Sequence, residues 1–143
     1  MKFRLVIDKN TEEEVVVYAH GENELTDEIK RLVENIPTRI IGYKGEDSLP
    51  LVPEDINCFS VSGGKVYAHT DTDKVLVKER IYELESMLGE GFVKINQSCI
   101  ANTKKILRFS ASIGGALQVT FKNGYRDYVS RRQLKTVKKR MGL

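Results

Sequence analysis

The chain has 143 residues, 41% hydrophobic and 30% charged, with 23 Lys/Arg against 20 Asp/Glu for a formal charge of +3. This length buries one good core, or one domain with a small appendage, but not two full domains, and the composition excludes a disordered chain. No apolar run approaches the roughly 18 residues of a membrane span. The first residues, Met1 to Asp8, alternate apolar with charged and lack the apolar core of a signal peptide. A cytoplasmic protein without membrane insertion is expected.

Phe3, Leu5 and Ile7 alternate with Lys2, Arg4 and Asp8. After the polar Lys9-Asn10-Thr11 corner the run Val15-Val16-Val17-Tyr18 resumes the extended pattern, so a strand pair is expected. Leu25, Ile29, Leu32, Val33 and Ile36 then share one helical face behind an acidic first turn of Glu24, Asp27 and Glu28, and Pro37 ends the helix. Arg39–Tyr43 and Ser48–Val52 flank the turn composition Gly45-Glu46-Asp47 and predict a hairpin, with Pro50 favouring an edge strand. Pro53-Glu54-Asp55 is a single turn. It leads to a strand over Ile56–Val61 that meets Lys65–Thr70 across Ser62-Gly63-Gly64.

Val77, Ile81, Leu84 and Leu88 keep helical spacing, and Gly89 is placed to stop that helix. Phe92–Ile95 is apolar and extended, and runs into the polar Asn96-Gln97-Ser98 before Ile100 and Asn102. Ile106–Ser112 predicts a strand, and Leu117, Val119 and Phe121 another that turns through Asn123-Gly124. Ser130 with Gln133 has capping-box spacing before a last helix with Leu134, Val137 and Met141 inward.

Catalytic signals are missing from this pattern. Cys58 and Cys99 lack the spacing of a metal knuckle and are expected as reduced, half-buried core thiols, and His20 and His69 stand alone. No Ser/His/Asp set, Cys/His set or paired-carboxylate site emerges, so no enzyme, metal, cofactor or small-molecule substrate is expected. Charge is the stronger signal. Residues 1–60 carry 7 Lys/Arg against 13 Asp/Glu, whereas residues 61–143 carry 16 against 7. From Lys104 onward 11 basic residues face the single acid Asp127, a concentration that favours a polyanionic partner.

From Leu51 onward the order of features resembles the LytTR family, a mainly β DNA-binding module of bacterial transcriptional regulators. The resemblance runs through the Ile56 strand, the Gly63 turn, Lys65-Val66-Tyr67 and a helix containing Tyr82-Glu83-Leu84-Glu85. It continues through Phe92 to Ser98, Ile100-Ala101-Asn102, Ile106, Asn123-Gly124 and Tyr128-Val129-Ser130-Arg131-Arg132. It implies an α+β fold of packed β-sheets with few helices and a C-terminal helix over residues 46–143. A small acidic strand-helix extension over residues 1–45 precedes it, and either completes the core or mediates self-association as a homodimer. A phosphorylatable receiver domain does not fit into that extension, so the chain resembles short stand-alone members.

The resemblance also implies the partner: double-stranded DNA at promoter or operator repeats, with loops and strand ends in successive major grooves and the duplex bent. Carried over by position, the base-reading places are Gly64 with Lys65, Asn96 with Gln97, and Arg132. Gly64 has no side chain to read with, and Asn96-Gln97 stands where many members carry His-Arg or His-Asn. The chemistry agrees, because Asn or Gln pairs bidentately with adenine and Arg with guanine. Lys94, Ser98, Lys104, Lys105, Arg108 and Arg131 are the expected phosphate contacts, while Asn102 is expected to tie its own turn to the backbone. The competing reading is a protein-interaction adaptor whose basic face binds an acidic protein.

Overall fold

The computed structural model describes residues 2–34 and 39–143. The chain divides into two compact units, residues 1–37 and 38–143. In the first, helix α1 (Glu24–Glu34) forms where the periodicity predicts it. Asn23 caps it: its Oδ1 accepts from Thr26 N at 3.0 Å, and Thr26 Oγ1 accepts from Asn23 N at 2.9 Å. Ile36 and Pro37, the predicted end of this helix, lie outside the described residues. The strand pair expected before it does not form. Residues 2–18 contain no strand, and Phe3 and Tyr18 are 92% and 93% exposed. Alternation creates an apolar face but needs a partner strand and a covering layer to hold it, and within these residues neither is supplied.

The second unit holds ten antiparallel strands. Those of the larger sheet are β1 (Ile40–Lys44), β2 (Asp47–Leu51), β3 (Cys58–Ser62), β4 (Lys65–His69), β5 (Lys74–Val77), β6 (Phe92–Asn96) and β7 (Cys99–Asn102), ordered β2-β1-β5-β4-β3-β7-β6. Pro50 does lie on an edge strand, β2. Strand β1 pairs with β2 and β5, so residues 40–44, assigned by sequence to the extension, belong to the second unit's sheet. The smaller sheet is β8 (Ile106–Ala111), β9 (Leu117–Phe121) and β10 (Arg126–Val129), ordered β10-β9-β8. Helix α2 (Ile81–Met87) precedes β6, and α3 (Arg131–Met141) follows β10.

Two apolar cores sit on opposite faces of the large sheet. On one face Phe59, Ala68, Val75, Val77 and Ile100 pack with Ile81, Leu84 and Leu88. On the other, Cys58, Val93, Ile95, Cys99 and Ala101 pack with Val119 and Phe121 of the small sheet and Val137 of α3. Consecutive residues of a strand point to opposite faces, so β7 is buried along its whole length. The helix expected from Val77 begins later, because Val77 closes strand β5. Val77 shares a core with Ile81, Leu84 and Leu88, so its helical spacing to them reflects a common destination rather than a common helix.

The two cysteines are free core thiols, and they are fully buried rather than half-buried as expected, because β3 and β7 lie inside the large sheet under the small sheet and α3. A hydrogen bond with the Cys58 thiol, followed by burial, pushes the Cys99 thiol well up. Ser130 is the N-cap of α3, but its side chain makes no capping bond. The expected box is replaced by Gln133 N donating to the Ser130 carbonyl at 3.0 Å, while Ser130 N donates to Ile95 O at 2.9 Å and so docks the helix start on β6.

Candidate nucleic-acid interface

Three backbone features bring the three predicted reading places to one end of the large sheet. The β3–β4 turn is the two-residue Gly63-Gly64, with φ of 59° and 75°, a conformation that only glycine adopts without steric cost. The β6–β7 turn, Gln97-Ser98, lies beside it because Val61 N donates to Ser98 O at 2.9 Å. The start of α3 joins them through the bond from Ser130 to Ile95. Gly64, Lys65, Gln97 and Arg132 therefore emerge at the same end, and all four are exposed.

The Asn96 amide is engaged within the fold. Its Nδ2 donates to Asp127 Oδ1 at 3.0 Å and to the Tyr128 carbonyl at 2.7 Å, while its Oδ1 accepts from Ser98 N at 2.8 Å. The amide thus ties the β6–β7 turn to β10, and both of its donor hydrogens are used inside the fold. Asp127 is held in the same network, accepting from Tyr125 Oη at 3.1 Å and Tyr128 N at 2.7 Å. Gln97, next along the chain, makes no side-chain hydrogen bond among the described residues and stands free at the turn.

The expected phosphate contacts separate into two groups. Ser98 and Arg131 lie at the reading end and are exposed, and Lys94 is there too, half-buried with its Nζ 3.7 Å from Glu85. Lys104 and Lys105 do not join them. Strand β7 carries the chain to the opposite end of the sheet, where Asn102 N donates to Asn57 O and Thr103 N to Gly91 O. At roughly 3.3 Å per residue the separation is about 15 Å. There Lys105 faces Asp71 at 3.6 Å. The Asn57 amide, and then Lys105, hold the Asp71 carboxyl below its usual range. Arg108 is level with Thr120 and Arg126 on the small sheet, away from Val129, where α3 begins. Nearness in sequence to the polar turn was therefore a poor guide to nearness in space.

Asn102 is structural, as expected: it is buried, donates to the Ile56 and Glu54 carbonyls at 2.9 and 3.3 Å, and accepts from Lys104 N at 3.1 Å. His69 is buried against the Tyr125 ring, centroids 4.2 Å apart, with Nε2 2.6 Å from Ser60 Oγ. Burial, and then the charge of Lys74, lower its pKa to about 4. Sequence reasoning passed over Lys78 and Arg80, which leave β5 at the reading end. The signal was available, but hidden, in the assignment of Val77 to a helix.

The second unit is thus a β-rich fold that exposes Lys65, Gln97 and Arg132 from two turns and a helix start. The LytTr DNA-binding domain family model matches residues 47–142, and the chain belongs to that family. Along its full length it is 30% identical to HTH-type transcriptional regulators of Staphylococcus aureus strains NCTC 8325 and COL, covering 99% of each. The fold is similar to a solved LytTr DNA-binding domain of a Bacillus cereus response regulator, with a TM-score of 0.70 over 75% of this chain and 99% of that one at 18% identity. The relatives' names speak of a helix-turn-helix. Among the described residues here no two helices follow one another through a short turn, since strands separate α1, α2 and α3.

Proposed function

We propose that this LytTR-family DNA-binding regulator is a sequence-specific transcription factor that reads major grooves with turns and a helix start rather than with a recognition helix. The observation that carries this reading is the convergence of Gln97, Arg132 and the Gly64-Lys65 turn on one end of one sheet. Gln97 offers the bidentate donor–acceptor pair that adenine matches, and Arg132 the fork that guanine matches, each worth about 1–3 kcal/mol of discrimination. Asn96 positions the Gln97 turn. Lys94, Ser98 and Arg131 hold phosphates at the same end, and the duplex bends to meet separate reading elements, as the family resemblance implies.

The first unit suits self-association better than DNA. Residues 1–37 carry 5 Lys/Arg against 9 Asp/Glu, a charge that a phosphate backbone repels. Phe3, Leu5, Ile7, Val15, Val16 and Tyr18 are all exposed. A second copy would give this alternating segment its missing partner strand and would present two reading ends to repeated half-sites.

Selection of bound sequences from a random duplex library tests the reading. Wild type should enrich one motif. Gln97→Ala and Arg132→Ala should each relax a different position, whereas uniform loss across all positions would make both phosphate binders. Affinity indifferent to salt, with capture of an acidic protein instead, would favour the adaptor reading. Sedimentation equilibrium of the full chain tests self-association. A monomer at all concentrations would refute it.

A further inference from the structure

The phosphate contacts expected from sequence leave an imbalance, because Lys104, Lys105 and Arg108 lie away from the reading end while a groove at that end goes unassigned. This groove, of about 610 Å3, is lined by Gly64, Lys65, Lys78, Arg80, Lys94 and Gln97, among others. Strand pairing explains its position. Val77 of β5 is level with Val66 of β4, so Lys78, Glu79 and Arg80 leave the sheet beside the Gly63-Gly64 turn.

Lys78 and Arg80 are exposed, and neither forms an ion pair among the described residues. The Lys78 ammonium lies 4.5 Å over the Tyr43 ring, which orients the charge without neutralising it. Glu79 also lines the groove, with one carboxylate oxygen buried and without a partner among the described residues, and sets one negative charge against the cations Lys65, Lys78, Arg80 and Lys94. The rim is thus cationic on the wall opposite Gln97. A polyanionic strand whose bases meet Gln97 would run its backbone along that wall.

We propose that Lys78 and Arg80 form a phosphate clamp that holds the DNA backbone flanking the bases read by Gln97 and Arg132, in the role that sequence assigned to Lys104 and Lys105. The inference rests on the DNA-binding reading and deepens it. Each phosphate contact contributes about 0.9 to the slope of log affinity against log salt. Losing two contacts therefore flattens the slope by about 1.8, which is roughly a 12-fold smaller affinity change between 50 and 200 mM salt.

The test measures fluorescence anisotropy of the full chain on its selected duplex and on a scrambled duplex of equal length, across a salt series. The Lys78→Gln/Arg80→Gln variant should flatten the slope by about 1.8 and weaken both duplexes alike, leaving their affinity ratio unchanged. Lys104→Gln/Lys105→Gln should leave the slope as in wild type. An unchanged slope in the first variant, or the flattening in the second instead, overturns the clamp. Wild type that binds neither duplex overturns the DNA reading itself. A companion measurement needs no variant: neutral methylphosphonates placed singly along the selected duplex should weaken wild-type binding at phosphates flanking the motif, and uniform tolerance of them refutes the clamp.

Discussion

Asn96→Ala separates a side chain that reads DNA from one that positions the reader. In the folded protein the Asn96 amide makes three hydrogen bonds, to Asp127, to the Tyr128 carbonyl and from Ser98 N. A neutral bond contributes about 1 kcal/mol and one to a carboxylate about 1.5–3 kcal/mol, so the three sum to roughly 4 kcal/mol before solvent is considered. Asn96 is only half-buried, and water replaces part of what is lost, which leaves an expected destabilisation of about 2 kcal/mol. For a unit of this size that lowers the thermal midpoint by roughly 10 °C. Urea unfolding followed by circular dichroism, together with library selection, reads both consequences. Stability should fall by this amount while the selected motif weakens evenly. Gln97→Ala should do the reverse, with stability within about 0.5 kcal/mol of wild type and one motif position relaxed. If Asn96→Ala keeps wild-type stability and loses preference at one base pair, its hydrogen bonds are expendable and Asn96 reads DNA directly.

Acid should destabilise the fold through His69. Its folded pKa of about 4 lies below the ordinary 6.5, so the unfolded chain binds the proton first and stability falls as pH drops from about 6.5 towards 4, by up to about 3 kcal/mol. His69→Gln should flatten urea-midpoint profiles across that window; an equally steep profile assigns the acid sensitivity elsewhere. Gly42→Ala should cost about 1–3 kcal/mol by overpacking, because a Cβ there would lie 2.7 Å from Val75 Cγ2 and 3.2 Å from the Leu51 methyls. Wild-type denaturant midpoints would show that β1 and β2 yield more easily than their packing implies. Glu79→Gln should strengthen duplex binding several-fold at low salt, since it removes a negative charge from the groove and eases a buried carboxylate oxygen that has no partner among the described residues. Unchanged affinity in anisotropy titrations would place Glu79 too far from the DNA to matter.

Much of the fold was legible in the sequence because its signals are local. The Asn123-Gly124 and Gly63-Gly64 turns, the alternation of Leu117, Val119 and Phe121, and the periodicity of α1 each depend on neighbours a few residues apart, and each element formed. Motif order from Leu51 onward was sufficient to point to the LytTR family, which the match over residues 47–142 establishes. What failed depended on partners that no local pattern names. Residues 2–18 alternate correctly yet form no strand, because a strand is stabilised by its neighbours rather than by its own pattern. Val77 fits a helical period and lies in β5.

The candidate site divides in the same way. Sequence by itself determined the side-chain chemistry of the candidate interface: an amide turn, an arginine pair at the start of α3 and an excess of cations. Tertiary structure alone decided which of these belong together. Strand direction is the physical reason, since the four residues of β7 carry the chain from Gln97-Ser98 to the far end of the sheet and take Lys104 and Lys105 with it. The antiparallel return of β5 beside β4 delivers Lys78 and Arg80 to the reading end instead. Asn96 shows the same division at the scale of one side chain, because only the folded position of Asp127 and Tyr128 reveals that its amide is already engaged.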